Sequence, residues 1–230
     1  MANGAPEALT QGYFDRYPGE AARVIDNLPL REIVQLFQTL AEPSVVAVFQ
    51  RMTTDVGAQV LASIDAKLAA HIVSTVNPSQ AAALLARLDE PVRARLLDSV
   101  EPYVAKELRL LMSYPFDSAG SLMDPRVTCF HWQTTVKEAR ARIRGLRARR
   151  VYDIFLVDDD GLLTGSVPLQ EIAFARPNRR LSQLSSGASA SILAMSTREE
   201  VVELLNQRRL PSLAVIDLKG RLLGVIRHDA

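Results

Sequence analysis

A twelve-residue period in the first half of the chain restricts its fold more than any other feature. Leu28, Leu40, Met52, Ile64, Val76, Leu88, Val100 and Met112 follow one another at that interval, and all are apolar. Four positions earlier in each unit stand Val24, Leu36, Val48, Val60, Ile72, Leu84, Leu96 and Leu108. The column between reads Ile25, Phe37, Phe49, Leu61, Val73, Leu85, Leu97 and Arg109, and only the last member is polar. The chain as a whole is 48% hydrophobic, so such uninterrupted columns mark a repeat. Spacings of three and four put each triplet on one helical face. A single long helix is excluded, because twelve residues at ~100° each rotate that face by ~120° per unit. Thr53, Asp65, Asn77 and Asp89 each follow a triplet and are N-cap types. Pro43, Pro78, Pro91 and Pro102 stand where a first helical turn tolerates proline. The expectation is a superhelical solenoid of short helices, none stable alone, that share one stacked core.

The second half contains a duplication. Ile154-Phe-Leu-Val-Asp158-Asp-Asp-Gly161-Leu-Leu-Thr-Gly165-Ser-Val167 matches Leu213-Ala-Val-Ile-Asp217-Leu-Lys-Gly220-Arg-Leu-Leu-Gly224-Val-Ile226 at an offset of 59 residues. Each reads as strand, Asp…Gly turn, strand. Thr134-Thr135-Val-Lys-Glu138 and Ser196-Thr197-Arg-Glu-Glu200 open a helix before each with a hydroxyl cap and a glutamate. Two such α+β copies are expected to pack about a pseudo-twofold axis.

Composition narrows the function. A single cysteine, Cys129, excludes an internal disulfide framework and a Cys-rich zinc site. No apolar run approaches the ~18–20 residues of a membrane helix, and the N-terminus carries no targeting pattern. Residues 1–117 hold 10 Lys/Arg against 14 Asp/Glu, and residues 118–230 hold 17 against 12, so the halves are oppositely charged. The basic half includes Arg140, Arg142, Arg144, Arg147, Arg149 and Arg150. Such a run reads as a solvated helix face or a docking surface for an acidic neighbour, and no nucleic-acid-reading motif accompanies it. No P-loop, G-x-S-x-G or G-x-G-x-x-G is present, so enzyme chemistry is not expected. His71 reads as boundary packing, His131 and Trp132 as surface or interface packing, and Cys129 as a buried strand residue.

The duplicated pattern resembles the CBS domain, a module that works in pairs. Between repeat and duplication, Ser113-Tyr-Pro-Phe-Asp117-Ser-Ala-Gly120-Ser-Leu-Met123 resembles the Y-x-x-D-S-A-G-x-L-M link of MgtE magnesium transporters. The helical repeat resembles the MgtE N domain. The resemblance implies a multi-domain α and α+β fold: a flexible N-terminus over 1–16, an all-α solenoid over 17–117, and a tandem CBS pair over 118–180 and 181–230, the second copy truncated. It implies a homodimer through the CBS motifs, on the cytoplasmic face of the membrane. There it would sense Mg2+ between domains and gate a pore that this chain lacks, joined to a transmembrane domain of the same polypeptide. A stand-alone CBS-pair adaptor is the alternative.

Against the family pattern, Glu199 keeps an acid near the start of the second CBS helix. Thr197, Arg209 and Ala230 stand where relatives carry acids, which thins the Mg2+ ligands. Asp158 and Asp159, with Asp160, form the intact acidic run; they read first as a solvated turn and second as candidates for metal. A CBS copy usually binds ribose through a Ser/Thr-x-x-Asp motif. Here Pro168-Leu-Gln-Glu171 leaves Glu171 without its hydroxyl partner, and Asp153 occupies a position that is aromatic in CBS relatives, so a nucleotide is not expected.

Overall fold

The computed structural model describes residues 11–145, 153–185, 187 and 189–227. The chain divides into two compact units, Met1–Ser113 and Tyr114–Ala230.

The first unit is a stack of short helices: α1 (Pro18–Ile25), α2 (Leu30–Thr39), α3 (Glu42–Phe49), α4 (Thr54–Ser63), α5 (Ala66–Thr75), α6 (Pro78–Ala86), α7 (Glu90–Ser99) and α8 (Pro102–Met112). The breaks fall at the expected caps. Asp65 accepts hydrogen bonds from the backbone N–H groups of Lys67 and Leu68, and Asn77 accepts one from Ser79. Thr53 and Asp89 occupy N-cap positions with extended backbone but make no side-chain cap bond. Each helix packs on the one two places further along, from α1 on α3 to α6 on α8. That pairing follows from short helices whose apolar faces turn with every unit.

The repeat columns form the core. Ile25, Phe37, Phe49, Leu61, Val73, Leu85 and Leu97 are all buried, and Arg109 is exposed beside Asp98. In the other columns Val24 is a departure, being 59% exposed on the first helix. A further column also lies inside. Ala21, Ile33, Val45, Gly57, Ala69, Ala81 and Ala105 are buried, and Arg93 interrupts them, paired with Glu90. Small side chains dominate it because helices cross there at close range. Their modest hydrophobicity hides this column from a search for large apolar residues.

Residues 11–16, expected within a flexible tail, are helical, and Phe14 is buried. Aromatic packing explains the difference. Tyr13 contacts both Phe14 and Tyr17, and Gln11 Oε1 accepts the Ala41 N–H at 3.0 Å. His71 is exposed, with Nε2 3.9 Å from a Glu42 carboxylate oxygen, rather than packed at a boundary.

The second unit begins with a short helix, α9 (Ala119–Leu122), and then runs twice through one pattern. The first copy is β1 (Cys129–His131), α10 (Val136–Arg144), β2 (Asp153–Val157), β3 (Leu163–Pro168) and α11 (Leu169–Phe174). The second is β4 (Ser191–Leu193), α12 (Arg198–Arg208), β5 (Ser212–Ile216) and β6 (Leu222–Arg227). Each sheet has three strands, the first pair parallel and the second antiparallel. The register shifts between Leu156 and Val157 in one copy and between Val215 and Ile216 in the other, so even the bulge is repeated. Among the described residues, no helix is long and apolar enough to cross a membrane.

Candidate functional site

The two copies meet about the expected pseudo-twofold axis. The N–H of Leu163 donates to Gly220 O at 3.0 Å, and that of Leu222 donates to Gly161 O at 3.1 Å. These bonds exchange under the 59-residue offset. Leu162 and Arg221, equivalent by the same offset, form a bridge with each other. Phe155 and its counterpart Ala214 share one buried cluster with Val225, flanked by Val127, Cys129, Leu163 and Leu222. Cys129 is half-buried there rather than enclosed, as expected of an edge strand with one partner. Asp153 explains its unusual identity: its carboxylate accepts the hydroxyl of Ser212, its own equivalent, at 3.0 Å. That bond occupies the position with a polar pair.

The linking motif is a strap, and its residues have structural duties. Ala119 N–H donates to Ser196 O and Gly120 N–H to Ala194 O, both at 2.8 Å, while Arg198 N–H donates to Asp117 O at 2.9 Å. The segment before the second copy repeats this on the first. Leu181 N–H donates to Thr134 O, Ser182 N–H to Trp132 O, and Val136 N–H to Arg179 O. Each strap therefore secures the other copy. Ser118 caps α9 through the Ser121 N–H, Asp117 adopts a left-handed φ of 73° and pairs with Arg198, and Met123 is fully buried. Tyr114 lies where any β-carbon on Gly120 would stand. Burial of its ring, with the nearby Asp217 carboxylate, raises the Tyr114 phenol above its ordinary pKa. Beyond the motif, Asp124 exchanges backbone bonds with Val225 and pairs with Arg227 at 3.0 Å.

The acidic candidates do not converge. Asp158 turns its carboxylate onto its own hairpin, where Oδ1 accepts the N–H groups of Asp160 at 3.0 Å and Leu162 at 2.9 Å. Asp217 does the same with Lys219 and Arg221, and those bonds hold its carboxyl below the ordinary range. Asp158 thus acts as a turn residue. Asp159 is almost fully exposed, with Oδ1 3.2 Å from Nε2 of His131. His131 Nδ1 accepts the Gln133 N–H at 3.3 Å. Nε2 itself makes no aligned hydrogen bond.

Glu199 is exposed in the first turn of α12. Thr197 is the cap of that helix: its hydroxyl accepts the Glu200 N–H while Glu200 accepts the Thr197 N–H at 2.9 Å. A hydroxyl in place of an acid there serves the capping box. Arg209 ends α12 in the left-handed region at φ 50°, exposed. Glu171 is exposed on α11, one turn after the uncapped Pro168. Ala230 lies outside the described residues. Among the described residues no group of three or more His, Cys, Asp or Glu side chains gathers as a metal site.

The sequence reading missed Arg140. Its guanidinium donates to the carbonyls of Ile172, Ala173 and Ala175 at 2.7–3.0 Å, capping the C-terminal end of α11. Its equivalent in α12 is Val202, and that mismatch within the duplication is a usable signal.

Comparison with known proteins agrees with this architecture. Residues 16–117 match the family model of the MgtE intracellular N domain. This part of the chain is similar to the MgtE N domain. The magnesium transporter MgtE of Thermus thermophilus is 30% identical over 137 residues, 59% of this chain and 30% of its own length. This chain therefore spans under a third of that relative. A crystal structure of the cytosolic domain of the Mg2+ channel MgtE in complex with ATP superposes with a TM-score of 0.68 at 24% identity, covering 100% of this chain and 98% of that one. A cystathionine beta-synthase (CBS) pair from Shewanella oneidensis MR-1 gives 0.54 at 22% identity over 67% of this chain and 91% of its own. The chain has the fold of an MgtE cytosolic region, a helical N domain followed by a CBS pair.

Proposed function

We propose that this chain is the regulatory cytosolic region of an MgtE-like magnesium transporter, non-catalytic and homodimeric, joined in the full polypeptide to a membrane pore. The observation that carries the reading is the order of parts: an MgtE N domain, the strap motif and a CBS pair in one chain. The curated relative is a transporter, which favours this reading over a free-standing adaptor. Mg2+ keeps several waters and needs only one or two carboxylates from any surface. Glu199 and Asp159, both exposed, are candidate carboxylates for such a shared site. A cation held between surfaces shifts the population toward the state that brings them together.

Titrating Mg2+ into the 230-residue chain, with X-ray scattering and thermal melting as readouts, is expected to show compaction and stabilisation in the millimolar range. Glu199→Gln is expected to weaken the response. Asp158→Asn is expected to lower stability without moving the Mg2+ midpoint, because its carboxylate serves the turn. A flat response to Mg2+, Ca2+ and Mn2+ alike overturns the reading. ATP titrated by calorimetry is expected to give no saturable heat.

A further inference from the structure

The two copies share a backbone, so a side-chain cluster present in one and absent from the other is not demanded by the fold. The matched capping boxes at Thr135 and Thr197 align α10 with α12 at an offset of 62. Against Lys137, Arg140 and Arg144 stand Glu199, Val202 and Asn206. The straps align at the same offset, setting Arg179 against Asp117. One copy is basic where the other is acidic or neutral.

In the first copy these groups form one face. Lys137, Arg140 and Arg144 recur at spacings of three and four along α10. The chain after α11 runs beside them, since Lys137 N–H donates to Pro177 O at 3.0 Å and Val136 N–H to Arg179 O at 2.9 Å. Arg140 places its charge on the carbonyls of Ala173 and Ala175, which flank Phe174. The Phe174 side chain is 84% exposed, and the exposed Arg176 lies two residues further on. Of the two carboxylates on α10 and α11, Glu138 is engaged in its capping box and Glu171 is exposed.

We propose that this face, with Lys137, Arg144, Arg176 and Arg179 and the exposed ring of Phe174, docks on an anionic bilayer surface, Arg140 serving as the cap that holds α11 in place. Ammonium and guanidinium groups meet phosphate and carboxylate headgroups through charge-assisted bonds, and the phenyl ring enters the boundary with the acyl chains. A bilayer is favoured over nucleic acid because no nucleic-acid-reading motif accompanies the cluster and the transporter reading places a membrane nearby. The identity of the anionic surface rests on that reading.

The test is co-sedimentation of the 230-residue chain with phosphatidylcholine vesicles, with and without phosphatidylserine, in EDTA so that Mg2+ plays no part. Binding is expected only with phosphatidylserine, and it should collapse as salt is raised. Lys137→Glu with Arg176→Glu is expected to reduce partitioning by about tenfold or more, and Phe174→Ala by a few-fold, with melting temperatures unchanged. No binding to phosphatidylserine vesicles, binding that these variants leave intact, or duplex DNA or RNA bound as tightly as the vesicles overturns the proposal. Vesicle binding lost with the Mg2+ response intact overturns only this inference. A flat Mg2+ response with vesicle binding intact overturns only the regulatory reading.

Discussion

The two copies of the α+β module repeat a strand order, a bulge, an Asp-closed hairpin and a capping box, yet their helix faces have opposite character. Lys137 and Arg179 of one copy correspond to Glu199 and Asp117 of the other, and His131 and Asp159 to the exposed Leu193 and Leu218. The lesson is a separation of duties. Positions that close turns or start helices agree between copies, because the backbone needs them. Positions on the outer helix faces diverge, because the backbone does not constrain them and any use for them belongs to one copy.

The largest expected effect tests the straps. A β-carbon on Gly224 would stand 2.8 Å from both Asp124 O and Met123 Sδ, whereas at Gly165 it first meets the Ser185 hydroxyl and then Gly187 O at 3.0 Å. Gly224→Ala is expected to cost about 2–3 kcal/mol and Gly165→Ala about 1 kcal/mol in urea unfolding, since a serine side chain rotates away and a paired backbone does not. Equal losses would show that the straps bear on the two copies alike.

Next comes Arg140, which only the first copy has. Arg140→Met is expected to cost about 1–2 kcal/mol, because it removes charge-assisted bonds to three carbonyls. Amide exchange should quicken in α11, whereas Val202→Ala in the second copy should change stability by less than about 0.5 kcal/mol. Exchange in α11 that stays at the native rate would remove Arg140 from its role. The capping boxes should behave identically: Thr135→Ala and Thr197→Ala are each expected to cost about 1 kcal/mol, and to add in the double variant.

The smallest effect is acid sensitivity. The Thr135 N–H and hydroxyl hold the Glu138 carboxyl below its ordinary value, and the Arg221 N–H does the same, more than any other group, for Asp217. Carboxyls lowered in the fold contribute stability that is present above their unfolded values and lost as pH falls through the folded ones. Stability should therefore decline below about pH 4, one group from each copy contributing. Carbon-detected NMR titration checks this, and a normal midpoint for either carboxyl contradicts it.

Much of the candidate site was open to reading in the sequence, and the reasons for the rest are specific. Thr135 and Thr197 announced their helices because a capping box is local. Asp158 and Asp159 looked like ligands because carboxylate chemistry is visible in a sequence and its use is not; the two N–H groups that occupy Asp158 appear only once the hairpin is closed. Glu199 and Glu171 were legible as acids, yet nothing local says that they lie apart from other ligands. Arg140 was read as part of a basic run, because its partners lie more than thirty residues away in sequence.

The sequence by itself determined the periodic core of the helical unit, the caps that divide its helices and the duplication of the strand pattern. All rest on interactions within about a dozen residues, where spacing dictates geometry. Only the tertiary structure decided that the straps exchange partners, that Asp153 bonds its own equivalent, and that the small-residue column is buried. It also decided that Arg140 caps α11 and that the Phe174 ring beside that cap is left exposed. Those features depend on close approach between distant segments, and the distance between two segments in space is not written in the types of residue they contain.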